Sequence, residues 1–207
     1  MYNVVGDSMR IKENLIHSVT IERSEFICYL MRCFSADEAK EQLQAIKKEH
    51  PDATHHCYGL VVGNTIQRSN DDGEPSGTAG MPILEALRKN NLEDVHAVVV
   101  RYFGGIKLGA GGLIRAYGKV TNEAIHNSVL TEIQPRHRYM VSFSYDYIGK
   151  MEFALKDLVE IEDKDYGELV TFTYLCQNPI DTVIQELTNG RYMPEFIETI
   201  QTEAPVN

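Results

Sequence analysis

No apolar run in this 207-residue chain approaches the roughly 20 residues that a membrane-spanning helix needs. The amino terminus, MYNVVGDSMRIKEN, lacks the basic, apolar and small-residue order of a secretory signal. The four cysteines, Cys28, Cys33, Cys57 and Cys176, are scattered without the spacing of a disulfide framework. These absences lead us to expect a cytoplasmic protein with no membrane partner, whose thiols stay reduced in the core. Positive charge is also short. The chain has 20 Lys and Arg against 30 Asp and Glu, a net charge of −10, which excludes indiscriminate coating of nucleic acid because phosphate repels such a chain at long range. The deficit is uneven: 14 cations face 17 anions through Gln134, and 6 face 13 from Pro135 onward. A local basic face on the first half is compatible with that balance.

With 43% hydrophobic residues the chain can bury a real core, and its length suits two small domains. The expected division falls in Thr131 to Arg136, where Pro135 marks a composition shift, giving domains 1–134 and 135–207. In the first, Leu15–Ile21 and Glu25–Cys33 read as strands joined at Arg23-Ser24. Ser35 and Glu38 form a capping box, and Ala39, Leu43 and Ile46 share one helical face before Pro51. Cys57–Val62 and Thr65–Arg68 flank a turn at Gly63-Asn64. The polar SNDDGEPSGTAG, Ser69 to Gly80, is a loop, and a helix follows from Pro82 to about Asn90. Val95–Phe103 is apolar on both faces, as a central strand should be. Leu113, Tyr117, Val120 and Ala124 then repeat at helical spacing. The remainder reads strand, helix, strand, strand, helix, strand, the order of a ferredoxin-like split βαβ unit.

Two segments carry the chemistry. In VVVRYFGGIKLGAGGLIRAYG, Val98 to Gly118, the glycines Gly104, Gly105, Gly109, Gly111 and Gly112 let backbone approach an anion where a helix begins. Gly109, Gly111 and Gly112 are expected just ahead of that helix, with its first N–H groups facing outward. Lys107 reaches the helix start, Arg115 and Lys119 share a helix face, and Arg101 closes the strand. A plainer reading is that the glycines only permit a tight turn and close packing. Tyr102 is expected to be exposed for base stacking, whereas Phe103 and Tyr117 fit the core pattern.

In RSNDDGEPSGTAG, Arg68 adds a cation, and Ser76 and Thr78 offer hydroxyl donors to the same anion. Asp71, Asp72 and Glu74 suit Mg²⁺ chemically, but three carboxylates in four residues also make an ordinary solvated turn, and no metal or other cofactor is expected. His55, His56 and Cys57 alternate across a strand, so at most two converge, short of a zinc shell. No histidine has the motif spacing of a catalytic serine site.

These two segments, Arg68–Gly80 and Val98–Gly118, closely resemble the signature of the YigZ/IMPACT family in its bacterial two-domain form, over roughly residues 14–130. The resemblance implies an α+β chain. Its first domain would be ribosomal protein S5 domain 2-like, a fold shared with the fourth domain of the translocation elongation factor, elongation factor G. The second would resemble that factor's fifth domain. Eukaryotic members are tied to translational control, and the family supplies no established catalytic residues. The resulting expectation is a non-enzymatic factor that meets RNA or the ribosome through the basic, glycine-rich face. A Mg-dependent enzyme acting on a phosphorylated substrate and a protein-interaction module in translational control are the alternatives.

Overall fold

The computed structural model describes residues 8–63 and 65–206. Asn64 of the expected hairpin turn and most of the amino-terminal segment lie outside the described residues. The chain divides into two compact units, one running through Glu132 and including Ala204 onward, the other spanning Ile133–Glu203. Among the described residues no helix is long and apolar enough to cross a membrane.

The first unit is built on a five-stranded antiparallel sheet. Its strands are β2 (Leu15–Ile21), β3 (Ser24–Arg32), β4 (His55–Val62), β5 (Ile66–Asn70) and β6 (Val95–Tyr102), in the order β2-β3-β6-β4-β5. Strand β6 is central and buried along nearly its whole length, which explains its apolar run. Side-chain alternation splits its two faces. Val98 and Val100 pack with Tyr29, Met31 and Ile46 beneath helix α1 (Ala36–Glu49). Ala97 and Val99 face the larger core under helices α2 (Gly80–Lys89) and α3 (Gly109–Asn127). A short strand β1 (Met9–Ile11), which carries no period for a sequence reading to detect, pairs with the start of β7 (Leu130–Phe143).

The local signals act as their chemistry requires. Ser35 accepts the Glu38 N–H at 3.1 Å, while the Glu38 carboxylate takes the Phe34 N–H at 2.7 Å, so the capping box closes one residue further out than usual. The first hairpin turns at Glu22-Arg23, one residue earlier than expected, with both residues at positive φ, the twist a two-residue hairpin favours.

In the second unit β7 continues and is followed by α4 (Ile148–Leu155), β8 (Glu160–Tyr166), β9 (Val170–Cys176), α5 (Asp181–Thr188) and β10 (Glu195–Pro205). Strand β9 lies between β7 and β8, and β10 pairs with β7. Phe143, Phe172, Tyr174, Met151, Leu155 and Ile184 form its core. Pro135 does not break the chain into a linker. It sits within β7 ahead of the first pair with β9, His137–Cys176, where extended backbone suits its fixed φ. All four cysteines are buried and free.

His96 points from β6 toward α1 and is almost wholly buried. Its Nδ1 donates to Gln42 Oε1 at 3.0 Å, and burial pulls its pKa from 6.5 down to about 4. The unfolded chain therefore takes up this proton more readily than the folded one. Stability from this residue is complete above about pH 6.5 and declines toward about pH 4, by about 3 kcal/mol. Urea unfolding at a series of pH values is expected to show His96→Gln losing less stability than the parent between pH 7 and 4.

Candidate functional site

The parity that sends Ala97 and Val99 toward α3 also sends Arg101 there, at the end of β6. Its guanidinium is buried, 5.3 Å from the Phe26 ring centroid and 5.5 Å from that of Phe103. A cation in that position needs a partner, because an unpaired buried charge is strongly disfavoured. The loop between β5 and α2 provides one. Arg101 Nη1 donates to Glu74 Oε1 at 2.5 Å, with only 6% and 4% of the two side chains exposed. Tyr117, about two turns into α3 from its start, donates its hydroxyl to the same oxygen at 2.8 Å. Burial and the neighbouring carboxylate push the Tyr117 pKa up, so the phenol keeps the proton it donates.

The loop itself is tied down residue by residue. Asp71 accepts N–H groups from Gly77, Ala79 and Gly80 at 2.8–3.0 Å, anchoring the start of α2. Burial alone would raise its pKa, but those three donors hold it below the ordinary carboxylate value. Asp72 accepts from Lys47 Nζ at 2.9 Å and from the His56 N–H at 2.7 Å, and these outweigh burial in the same direction. His55 Nδ1 lies 2.8 Å from the Asp72 carbonyl oxygen, which only accepts, so Nδ1 carries the proton. Its Nε2 is 3.8 Å from Glu74 Oε1. Cys57 Sγ sits 2.9 Å from the Asp71 carbonyl, and burial raises its pKa to about 12, leaving an unreactive thiol.

Above the ion pair opens a cleft of 340 Å³ lined by both sequence motifs: Glu74 and Pro75 from the loop, Arg101 and Phe103 from the strand end, and Lys107 to Ala110 from the glycine segment. The two motifs therefore line one cleft. Leu108 is the cap residue of α3 and makes no side-chain cap, so the first-turn N–H groups of this 19-residue helix have no side-chain partner there. Lys107 and Arg115 are exposed, and no hydrogen bond or ion pair engages either among the described residues. Lys119 is exposed and pairs weakly with Glu123 at 3.8 Å.

Several expected members fall elsewhere. Arg101 is not a free cation at a strand end, since its charge is met by Glu74. Arg68 pairs in register with Leu60, which places it on the α1 side of the sheet beside Asp37, Lys40 and His96. Tyr102, alternating with Arg101, also faces α1, half-buried, with its hydroxyl 2.8 Å from His50 Nδ1. The exposed ring is Phe103 instead, at 46%. Counting by two from Arg101 would have put Phe103 on the site and Tyr102 off it. Thr78 is buried and donates its hydroxyl to Pro75 O at 2.7 Å; Ser76 is exposed at the loop surface. Asp71, Asp72 and Glu74 are committed to three separate partner sets, and no cluster of three metal-ligating side chains occurs among the described residues.

The glycines also divide by task. Gly109, Gly111 and Gly112 lie within the first turn of α3 rather than ahead of it. Gly109 has φ +67°, which a side chain would strain. Gly104 abuts the β2–β3 turn so closely that a Cβ would stand 2.0 Å from the Arg23 carbonyl. Gly105 is exposed in the connecting loop.

An Impact N-terminal domain model matches residues 22–125, a span that contains every residue lining the cleft. The IMPACT family member YvyE of Bacillus subtilis is 46% identical over 204 residues, covering 95% of this chain and 94% of that protein. The chain belongs to the IMPACT family. YigZ of Escherichia coli, another IMPACT family member, is 38% identical over 139 residues, covering 65% and 68% of the two chains. A crystal structure described as that of a hypothetical protein superposes with a TM-score of 0.60 at 30% identity, covering 93% of this chain and 98% of that one.

The Glu74–Arg101 pair is the support beneath this IMPACT-family cleft. Glu74→Ala leaves a buried guanidinium uncompensated and is expected to lower the urea unfolding free energy by about 3–5 kcal/mol. Glu74→Ala combined with Arg101→Met should lose clearly less than Glu74→Ala alone in the same measurement.

Proposed function

We propose that this chain is a non-enzymatic, translation-associated factor that meets RNA or the ribosome through the face around the start of α3. The first unit is read as ribosomal protein S5 domain 2-like and the second as ferredoxin-like, the latter supported by the strand order β10-β7-β9-β8. Family membership supports the connection to translation. The observation that carries the contact is local: Lys107 and Arg115 stand exposed around the uncapped start of α3, with Lys119 exposed further along the helix, on a chain whose overall charge is −10. Phosphate is the ligand that such amides and cations accept together.

The second unit has a different balance. Arg136 and Arg138 are engaged by Glu160, Glu162 and Glu198, so these cations are already neutralised on an acidic surface. Its part is to bind protein or orient the first unit rather than to contact phosphate. Among the described residues, the loop carboxylates are tied internally, which favours binding over metal-assisted chemistry.

Lys107→Glu with Arg115→Glu should reduce co-sedimentation with ribosomes or total RNA. The dependence of log affinity on log salt should become shallower by roughly one for each phosphate contact removed. Since both side chains are exposed, the thermal midpoint should stay near that of the parent. Unchanged binding by a folded double variant would overturn the proposal.

A further inference from the structure

The cleft has a polarity that simple phosphate binding leaves unused. Its mouth offers donors: Lys107 and the first-turn amides of α3. Its floor offers acceptors. Arg101, Tyr117 and His55 all approach Oε1 of Glu74, and Oε2 takes no hydrogen bond among the described residues. His55 spends its Nδ1 proton on the Asp72 carbonyl, and in the tautomer that this bond selects Nε2 is a second acceptor beside Glu74. The walls include Pro75 and Phe103, whose ring is 46% exposed and rests on the Arg101 guanidinium.

A ligand for this cleft has adjacent N–H donors at one end, a flat body, and an anion at the other. The charge of the floor narrows the class. Arg101 neutralises Glu74, so a cationic guanidinium or ammonium gains little from it, whereas a neutral edge of N–H groups gains two acceptors without adding buried charge. Among the nucleobases, guanine alone offers adjacent ring and amino N–H donors. Adenine would turn a ring acceptor toward acceptors. At 340 Å³ the space is also of the size that encloses a small ligand.

The geometry points to a guanine-binding pocket: an unpaired guanine enters the cleft, its N–H edge meets Glu74 and His55, Phe103 stacks on it, and its phosphate lies at Lys107. This assignment rests on the phosphate-binding reading of the same face, and it names what that face selects. The base can belong to single-stranded RNA or to a free guanine nucleotide, since both present the same edge and phosphate.

Fluorescence anisotropy with the full chain and short labelled single-stranded RNAs separates the possibilities. A central guanosine in a uridine strand is expected to bind roughly ten-fold more tightly than inosine, which lacks the amino group, or adenosine at that position. Phe103→Ala should weaken the guanosine strand most and the all-uridine strand to a lesser degree, since stacking is open to every base, and its exposed position leaves the fold intact. Equal affinity for guanosine, inosine and adenosine strands would overturn the guanine pocket, and the phosphate reading would still stand if Lys107→Glu weakens all three. If no strand binds but guanosine monophosphate raises the thermal midpoint in a Phe103-dependent way, the pocket stands with the free nucleotide as its source and the RNA reading falls. If neither strands nor nucleotide bind, both are overturned.

Discussion

The buried Arg101–Glu74 ion pair is the constraint around which the first unit is arranged. A charged residue at the end of an otherwise apolar central strand has nowhere to reach solvent once α3 covers that face. The β5–α2 loop answers by folding inward, against the tendency of polar connections to remain at the surface. That inward course explains why Asp71 and Asp72 are so fully engaged with backbone and Lys47, since a loop carrying a carboxylate into the interior must satisfy its own amides on the way. Tyr117 then links the pair to α3, so one carboxylate oxygen couples strand, loop and helix.

The cleft is the outer surface of that arrangement. Its floor is held rigid by the pair and the helix, and its rim comes from the glycine segment. The close approach of Gly104 to the β2–β3 turn fixes where the chain leaves β6, and the left-handed turn at Gly109 fixes where α3 begins. The tight-turn reading of these glycines is met at Gly104 and Gly109.

Much of the architecture was legible in the residues. The alternating apolar runs of β2, β3 and β4, the capping box at Ser35, and the helical stripe from Leu113 to Ala124 are local signals, and the chain follows them. Less legible was what each polar side chain would do. Arg101, Thr78 and the loop carboxylates look available as letters in a sequence, yet Arg101 with Glu74 and Asp72 with Lys47 are occupied by partners distant along the chain, while Asp71 and Thr78 are spent on backbone within the loop itself. Phe103 was misread for a simpler reason: its exposure follows from strand parity with Arg101, a signal outweighed by its apolar character. The continuity of β7 through Pro135 was hidden because proline and a composition shift usually mark a linker.

By itself the sequence determined the order of elements, the two-part organisation and the two motifs that mark the family, because periodicity, caps and turn residues act over a few positions. Only the tertiary structure decided that the motifs meet, that Arg101 is spent on Glu74, and that Lys107 and Phe103 rather than Arg68 and Tyr102 border the cleft. The physical reason is that burial and pairing depend on which face of the sheet is covered and by what. That covering comes from α2 and α3, whose contacts with the strands span long stretches of chain.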